Sequence, residues 1–170
     1  GSAAARRRPA RGRAAVRPQR HPQLTRPMRI KVNQLQLSAA FTPSFEAGFH
    51  VNMEGPKAAV RDGSVFEYCR LNDTVIQAWS VLQHGYFKGN FVGNEEFADL
   101  NHVLNDLAKK YQVTPTAIAL AWVLRYPGKM QAVIGTTKPQ HVLEVGKVAE
   151  VTLTRKEWYQ IYLSAGNDLP

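Results

Sequence analysis

Residues 131–144 read QAVIGTTKPQHVLE, an apolar run followed by a glycine, two threonines, a lysine and a proline before a helix-like pattern resumes. That order describes a strand turning sharply into a helix. MQAVIG has the apolar, β-branched character of a short strand. TKPQ has the form of a capping box, with Thr137 at the cap and Gln140 three residues on, opening the helix HVLEVGKV. Gly135 lets the backbone turn, while Thr136, Thr137, Lys138 and the N–H groups of a helix start together suit an anionic phosphate. Alone, a threonine at a helix start is ordinarily only a cap.

The same alternation extends outward from this corner. Upstream, IKVNQLQLS alternates apolar and polar as a strand does, with one slip of phase at Asn33-Gln34. Residues from there to Asp62, with Pro43, Gly48, Gly55 and Pro56, read as a long loop. Ser64 caps a short helix, VFEYCRLN, and TVIQAWS is a second strand. The glycine-rich QHGYFKGNFVGN leads to EEFADLNHVLNDLAKKY, where Phe97, Leu100, Val103, Leu104 and Leu107 recur at helical spacing. Thr114-Pro115 starts a further helix, TAIALAWVLRY, apolar nearly all round and therefore buried. Thr154 and Glu157 form a capping box for the last helix.

Strands alternating with helices imply parallel βαβ units and an α/β fold. Three strands are too few for a closed (β/α)8 barrel, so the expectation is a partial one.

The 170 residues carry a formal charge of +9, which is unevenly placed. Residues 1–30 hold nine arginines and no acid; the 22 basic residues less these nine leave 13 from Lys31 onward, against 13 acidic ones. The body from residue 29 to 170 is thus close to neutral, and residues 1–28 form an Arg/Ala/Pro-rich tail without apolar periodicity, expected to be disordered. Arginines can neutralise RNA phosphates, but none of these is interleaved with an aromatic that would stack on a base, which argues against nucleic-acid binding. A mitochondrial transit segment is also Arg-rich, yet Ser2 and Thr25 are the tail's only hydroxyl residues. One cysteine, Cys69, excludes an internal disulfide and fits a reducing, cytoplasmic setting. The absence of a long apolar run argues against a membrane span.

VNQLQLS, IQAWSVL, TAIALAWVLRYP and VIGTTKP, in this order from about Met28 to Pro170, resemble the C-terminal half of an aldo-keto reductase, and LTRKEWYQIYLSAGNDLP resembles its bacterial branch. The resemblance implies the last three βα units of a (β/α)8 TIM barrel, with NADP as cofactor and NAD as the alternative. It assigns Gln34 to the nicotinamide carboxamide, for which an amide offers both donor and acceptor. Trp79 matches the aromatic on which the nicotinamide ring stacks. Ser80 and Leu82 in WSVL match SPL at the pyrophosphate, and Val81 in place of proline is expected to loosen that turn. Gly135, Thr136, Thr137 and Lys138 match the grip on the adenosine 2′-phosphate, and Glu144 the position facing the adenine. His141 stands where the family commonly has an arginine. A histidine is not permanently charged and has no bidentate fork, which weakens the implied preference for NADP.

The family's tyrosine acid, lysine, aspartate and histidine belong to strands that this chain does not match, so no catalytic residue is assigned here. The expected activity is NADP(H)-dependent carbonyl reduction in the full-length relative, with this chain inactive alone. Alternatives are a non-catalytic nicotinamide-nucleotide-binding module and a tail-driven nucleic-acid binder. Open sheet edges further suggest a homodimer in which two copies complete each other's sheet.

Overall fold

The computed structural model describes residues 13–14, 30–50, 53–54, 64–85 and 88–169. Along the chain run β1 (Arg13–Ala14), β2 (Val32–Gln36), α1 (Pro43–Phe49), α2 (Ser64–Leu71), β3 (Val75–Trp79), α3 (Ala98–Tyr111), α4 (Pro115–Leu124), β4 (Met130–Ala132), α5 (Pro139–Gly146) and α6 (Arg155–Ser164). The sheet is open and wholly parallel, ordered β1-β2-β3-β4. Its three longer strands are the expected ones.

Two departures concern segments read as irregular. Arg13 and Ala14 pair with Asn33 and Gln34, so part of the tail lies on the outer edge of β2. Edge pairing uses backbone groups and asks little of side chains, which is why an Arg/Ala/Pro composition does not announce it. The remainder of residues 1–28 lies outside the described residues, as do 51–52 and 55–63 of the expected long loop. The described part of that loop contains α1: Pro43 occupies the first turn, where it needs no N–H, and Phe45 and Phe49 meet edge to face at 5.2 Å one turn apart.

Alternation in β2 and β3 separates the two faces of the sheet. Asn33, Leu35, Ile76 and Ala78 are buried, while Gln34, Gln36, Val75, Gln77 and Trp79 are half-buried on the other side. On that second face Gln34 Nε2 donates to Gln77 Oε1 at 2.8 Å, and Gln77 Nε2 donates to Gln131 Oε1 at 2.9 Å, following the register of the three strands. This amide ladder ties β2, β3 and β4 together on that face.

The core joins the buried strand residues Leu35, Ile76 and Ala78 to the helices. Ala117 to Val123 of α4 are all buried, and Thr114 accepts the Ala117 N–H at 3.2 Å as the cap requires. Leu100, Leu104 and Leu107 form the buried stripe of α3, which stops at Gln112 in the left-handed region, φ 56°. Around Phe45 gather Phe66, Trp122, Tyr126, Trp158 and Tyr162. Burying an aromatic such as Phe45 contributes about 2–3 kcal/mol. The Thr154 box of α6 is complete, with the Glu157 N–H donating to Thr154 Oγ1 and the Thr154 N–H donating to Glu157 Oε2. Cys69 is a free, buried thiol; burial pushes its pKa up and the Asn33 amide, which donates to its Sγ, offsets part of that.

Candidate functional site

In a parallel sheet all strand C-termini share one end, and there the segments following β3 and β4 diverge to leave a cleft of about 490 Å³. The first wall begins at Trp79, the last residue of β3. Ser80 follows at φ 52°, a conformation that a non-glycine residue rarely holds without support. The support is visible: the Gln83 N–H donates to Ser80 O at 2.9 Å, Ser80 Oγ to Gln83 Oε1 at 3.1 Å, and Ser38 Oγ to Gln83 O at 2.6 Å. The looseness expected from Val81 is therefore not found, because these bonds fix the turn and Val81 packs into the core.

The second wall follows β4. Val133 N–H donates to Ala78 O at 2.7 Å, keeping the chain beside β3 before it swings out through Gly135 to Lys138. Here the expected capping box is corrected. Lys138 is the cap residue of α5 and no side chain caps it, because Pro139, which cannot donate, takes the first helical position and moves the start one residue on. Thr136 does the local work instead: its Oγ1 accepts the Lys138 N–H at 3.2 Å and lies 3.3 Å from His141 Nδ1. Gly135 is not needed for its backbone freedom. Its φ is not positive, and a Cβ there would meet nothing within 4 Å, so any constraint at this position comes from close approach of a ligand. Among the described residues, the amides of Gly135, Thr136 and Thr137 donate to no backbone acceptor.

Trp79, Ser80, Leu82, Gly135, Thr136, His141 and Glu144 all line this cleft. Gln34 does not; it sits mid-strand with its amide nitrogen engaged by Gln77. Thr137 and Lys138 are exposed beside the cleft without lining it. The lining also includes Gln83, Asn90 and Thr116, which sequence reasoning missed. The available signal was the glycine-rich stretch between them, whose Gly85 and Gly89 hold positive φ (158° and 95°).

Chemically, the cleft offers amide and hydroxyl donors, an indole face, one imidazole and one carboxylate. That set is chemically suited to an anion beside a flat ring. Among the described residues no tyrosine lines it, and no group of histidines, cysteines and carboxylates there is placed to hold a metal. No helix among them is long and apolar enough to cross a membrane.

The aldo/keto reductase family model matches residues 27–162. Among curated proteins, the chain is 28% identical over 138 residues to a 6-dehydroglucose reductase of Agrobacterium fabrum, covering 81% of this chain and 39% of that protein. It is 27% identical over 111 residues to an aryl-alcohol dehydrogenase of Pestalotiopsis microspora, covering 57% and 28%. The chain therefore spans well under half the length of these relatives. Among solved structures it resembles a thermostable aldo-keto reductase with the inhibitor epalrestat, at TM-score 0.61, 17% identity and coverage of 90% and 47%. It likewise resembles aldose reductase from Giardia lamblia, at 0.61, 17%, 89% and 43%. A point mutant of Gox0644 in complex with NADPH matches at 0.56, 16%, 89% and 45%. At these identities the structural matches establish the fold.

Proposed function

The chain belongs to the aldo/keto reductase family, and from that premise we propose that it binds NADP(H) in the cleft at the C-terminal ends of β3 and β4. The observation that carries this reading is the convergence of Trp79, Ser80, Leu82, Gly135, Thr136, His141 and Glu144 on one cavity. About 490 Å³ lies within the range of small-molecule sites. The unshared amides of Gly135, Thr136 and Thr137 and the cation of Lys138 suit a phosphate, and Trp79 suits a flat ring.

When bound, such a nucleotide supplies a hydride. What this chain contributes is grip and orientation. Trp79 presents one face to the ring, the Ser80 turn holds the strand end rigid, and Thr136 with Lys138 receives the phosphate end. Gln34, outside the cleft lining and bonded to Gln77, takes no part in this grip. NADP is preferred to NAD only modestly, because His141 lacks the arginine fork.

The reductase reaction, carbonyl to alcohol, we assign to the full-length family architecture. This chain by itself binds nucleotide without turnover, in a reducing cytoplasmic setting, and two copies pair through their open sheet edges. Titrating the purified chain with NADPH, and assaying it with para-nitrobenzaldehyde, tests both halves: saturable binding without turnover is expected. Turnover above the buffer blank that is lost in Trp79→Ala would contradict the second half.

A further inference from the structure

A second cleft, of about 350 Å³, opens at the opposite end of the sheet, where Arg125 and Tyr126 lead into β4. Arg70 of α2, Arg125 and Arg155 of α6 all line it, with Glu67 the only acid among the described residues. Exposed arginines are ordinarily solvated, and three of them scattered over a surface would mean nothing. These three border one concavity, and among the described residues none is ion-paired with a carboxylate. Two of them are also held by a contact that leaves other N–H groups available: Arg125 Nε donates to Leu153 O at 3.0 Å, and Arg155 lies over the Tyr159 ring at 5.7 Å. Cations fixed in this way lose less conformational freedom on meeting an anion.

The remaining wall is aromatic. Phe49, Trp158 and Tyr159 line the cleft, Trp158 meeting Tyr159 edge to face at 5.1 Å and Phe49 lying 6.4 Å from Tyr159. An inorganic anion would satisfy the arginines and leave these rings in water; a neutral ring would do the reverse. We propose that this cleft binds a flat aromatic carboxylate, its carboxylate taken by the guanidinium groups and its ring laid against Tyr159, Phe49 and the edge of Trp158. The site is separate from the proposed nucleotide cleft and stands or falls independently of it.

Calorimetric titration of the purified chain with benzoate, benzyl alcohol and acetate tests the proposal. Benzoate is expected to bind saturably at millimolar concentration or below, with the other two each weaker by about tenfold or more. Arg155→Gln and Arg70→Gln are each expected to weaken benzoate by about tenfold with circular dichroism unchanged. Arg155→Lys, which keeps the charge and the fold but loses the fork, should also weaken it, and saturating NADPH should not displace it. Equal binding of benzyl alcohol or acetate, benzoate affinity unchanged in the arginine variants, or displacement by NADPH would each overturn the proposal.

Discussion

Trp122 of α4 and Trp158 of α6 stack face to face, ring centroids 4.8 Å apart and planes 8° from parallel, and each indole donates its N–H to the other's backbone carbonyl at 3.0 Å. Two helices distant in sequence are thereby pinned in one relative position. Both residues are buried, so neither hydrogen bond competes with water. Trp158→Phe keeps the ring but strands the Trp122 carbonyl, and should cost about 1–3 kcal/mol. Trp122→Ala, which also opens a cavity, should cost about 3–5 kcal/mol. Urea unfolding monitored by circular dichroism checks both; midpoints within error of the parent would refute the role of the pair.

Glu157 gives the fold an acid limit. Burial alone would raise its carboxyl, but hydrogen bonds from Lys110, from the Thr154 backbone and hydroxyl and from Tyr111 outweigh that and hold it down to about 2. A folded pKa below the ordinary 4.5 means that the stabilisation is present above pH 4.5 and is lost as pH falls towards 2. Glu157→Gln should lose about 1–3 kcal/mol at neutral pH and show a flatter stability profile between those limits. Thermal melts of both proteins across that window decide it, and parallel profiles would count against the assignment.

Tyr162 lies fully buried, with its hydroxyl unpartnered among the described residues. Burial, with smaller contributions from Glu46, Asp168 and Tyr159, pushes its phenol upward from 10.0, so its contribution is complete below pH 10 and declines as pH rises beyond it. Tyr162→Phe removes both the unsatisfied group and the titration. We expect stability at neutral pH unchanged or up by about 1 kcal/mol, and better retention of fold in alkali than the parent. A marked loss at neutral pH would show that the hydroxyl has a partner.

What could be read from the sequence was mostly local. Thr114-Pro115 and the Thr154 box concern neighbours in the chain, and both caps are present. The Thr137 box failed by one residue because a proline outranks a threonine in choosing the first helical position. Helix α1 was hidden by Pro43 and Gly48, which signal loops by composition although Pro43 suits a helix start. The amide ladder and the Trp122–Trp158 pair were invisible, since both depend on register or packing between segments far apart. Of the candidate site, the residues at strand ends came together, whereas Gln83 and Asn90 depend on the path of a loop that carries no periodicity.

His141 should govern cofactor preference. It lies 3.3 Å from Thr136 Oγ1 on the exposed first turn of α5, within reach of whatever Thr136 and Lys138 bind. His141→Arg restores a permanent charge with a bidentate fork, and should raise the preference for NADPH over NADH by about tenfold. Parallel titrations with the two nucleotides give the ratio; an unchanged ratio would remove His141 from the phosphate site.

Fluorescence tests most directly whether the chain holds a nicotinamide nucleotide between the ends of β3 and β4. Trp122 and Trp158 are buried, whereas Trp79 is half-exposed in the cleft, so quenching of tryptophan fluorescence by NADPH reports on that cleft. Saturable quenching is expected in the parent chain, weakened by about tenfold in Thr136→Val and abolished in Trp79→Phe, whose calorimetric affinity for NADPH should remain measurable. Absence of saturable binding by either method, or binding indifferent to Thr136→Val, would contradict it.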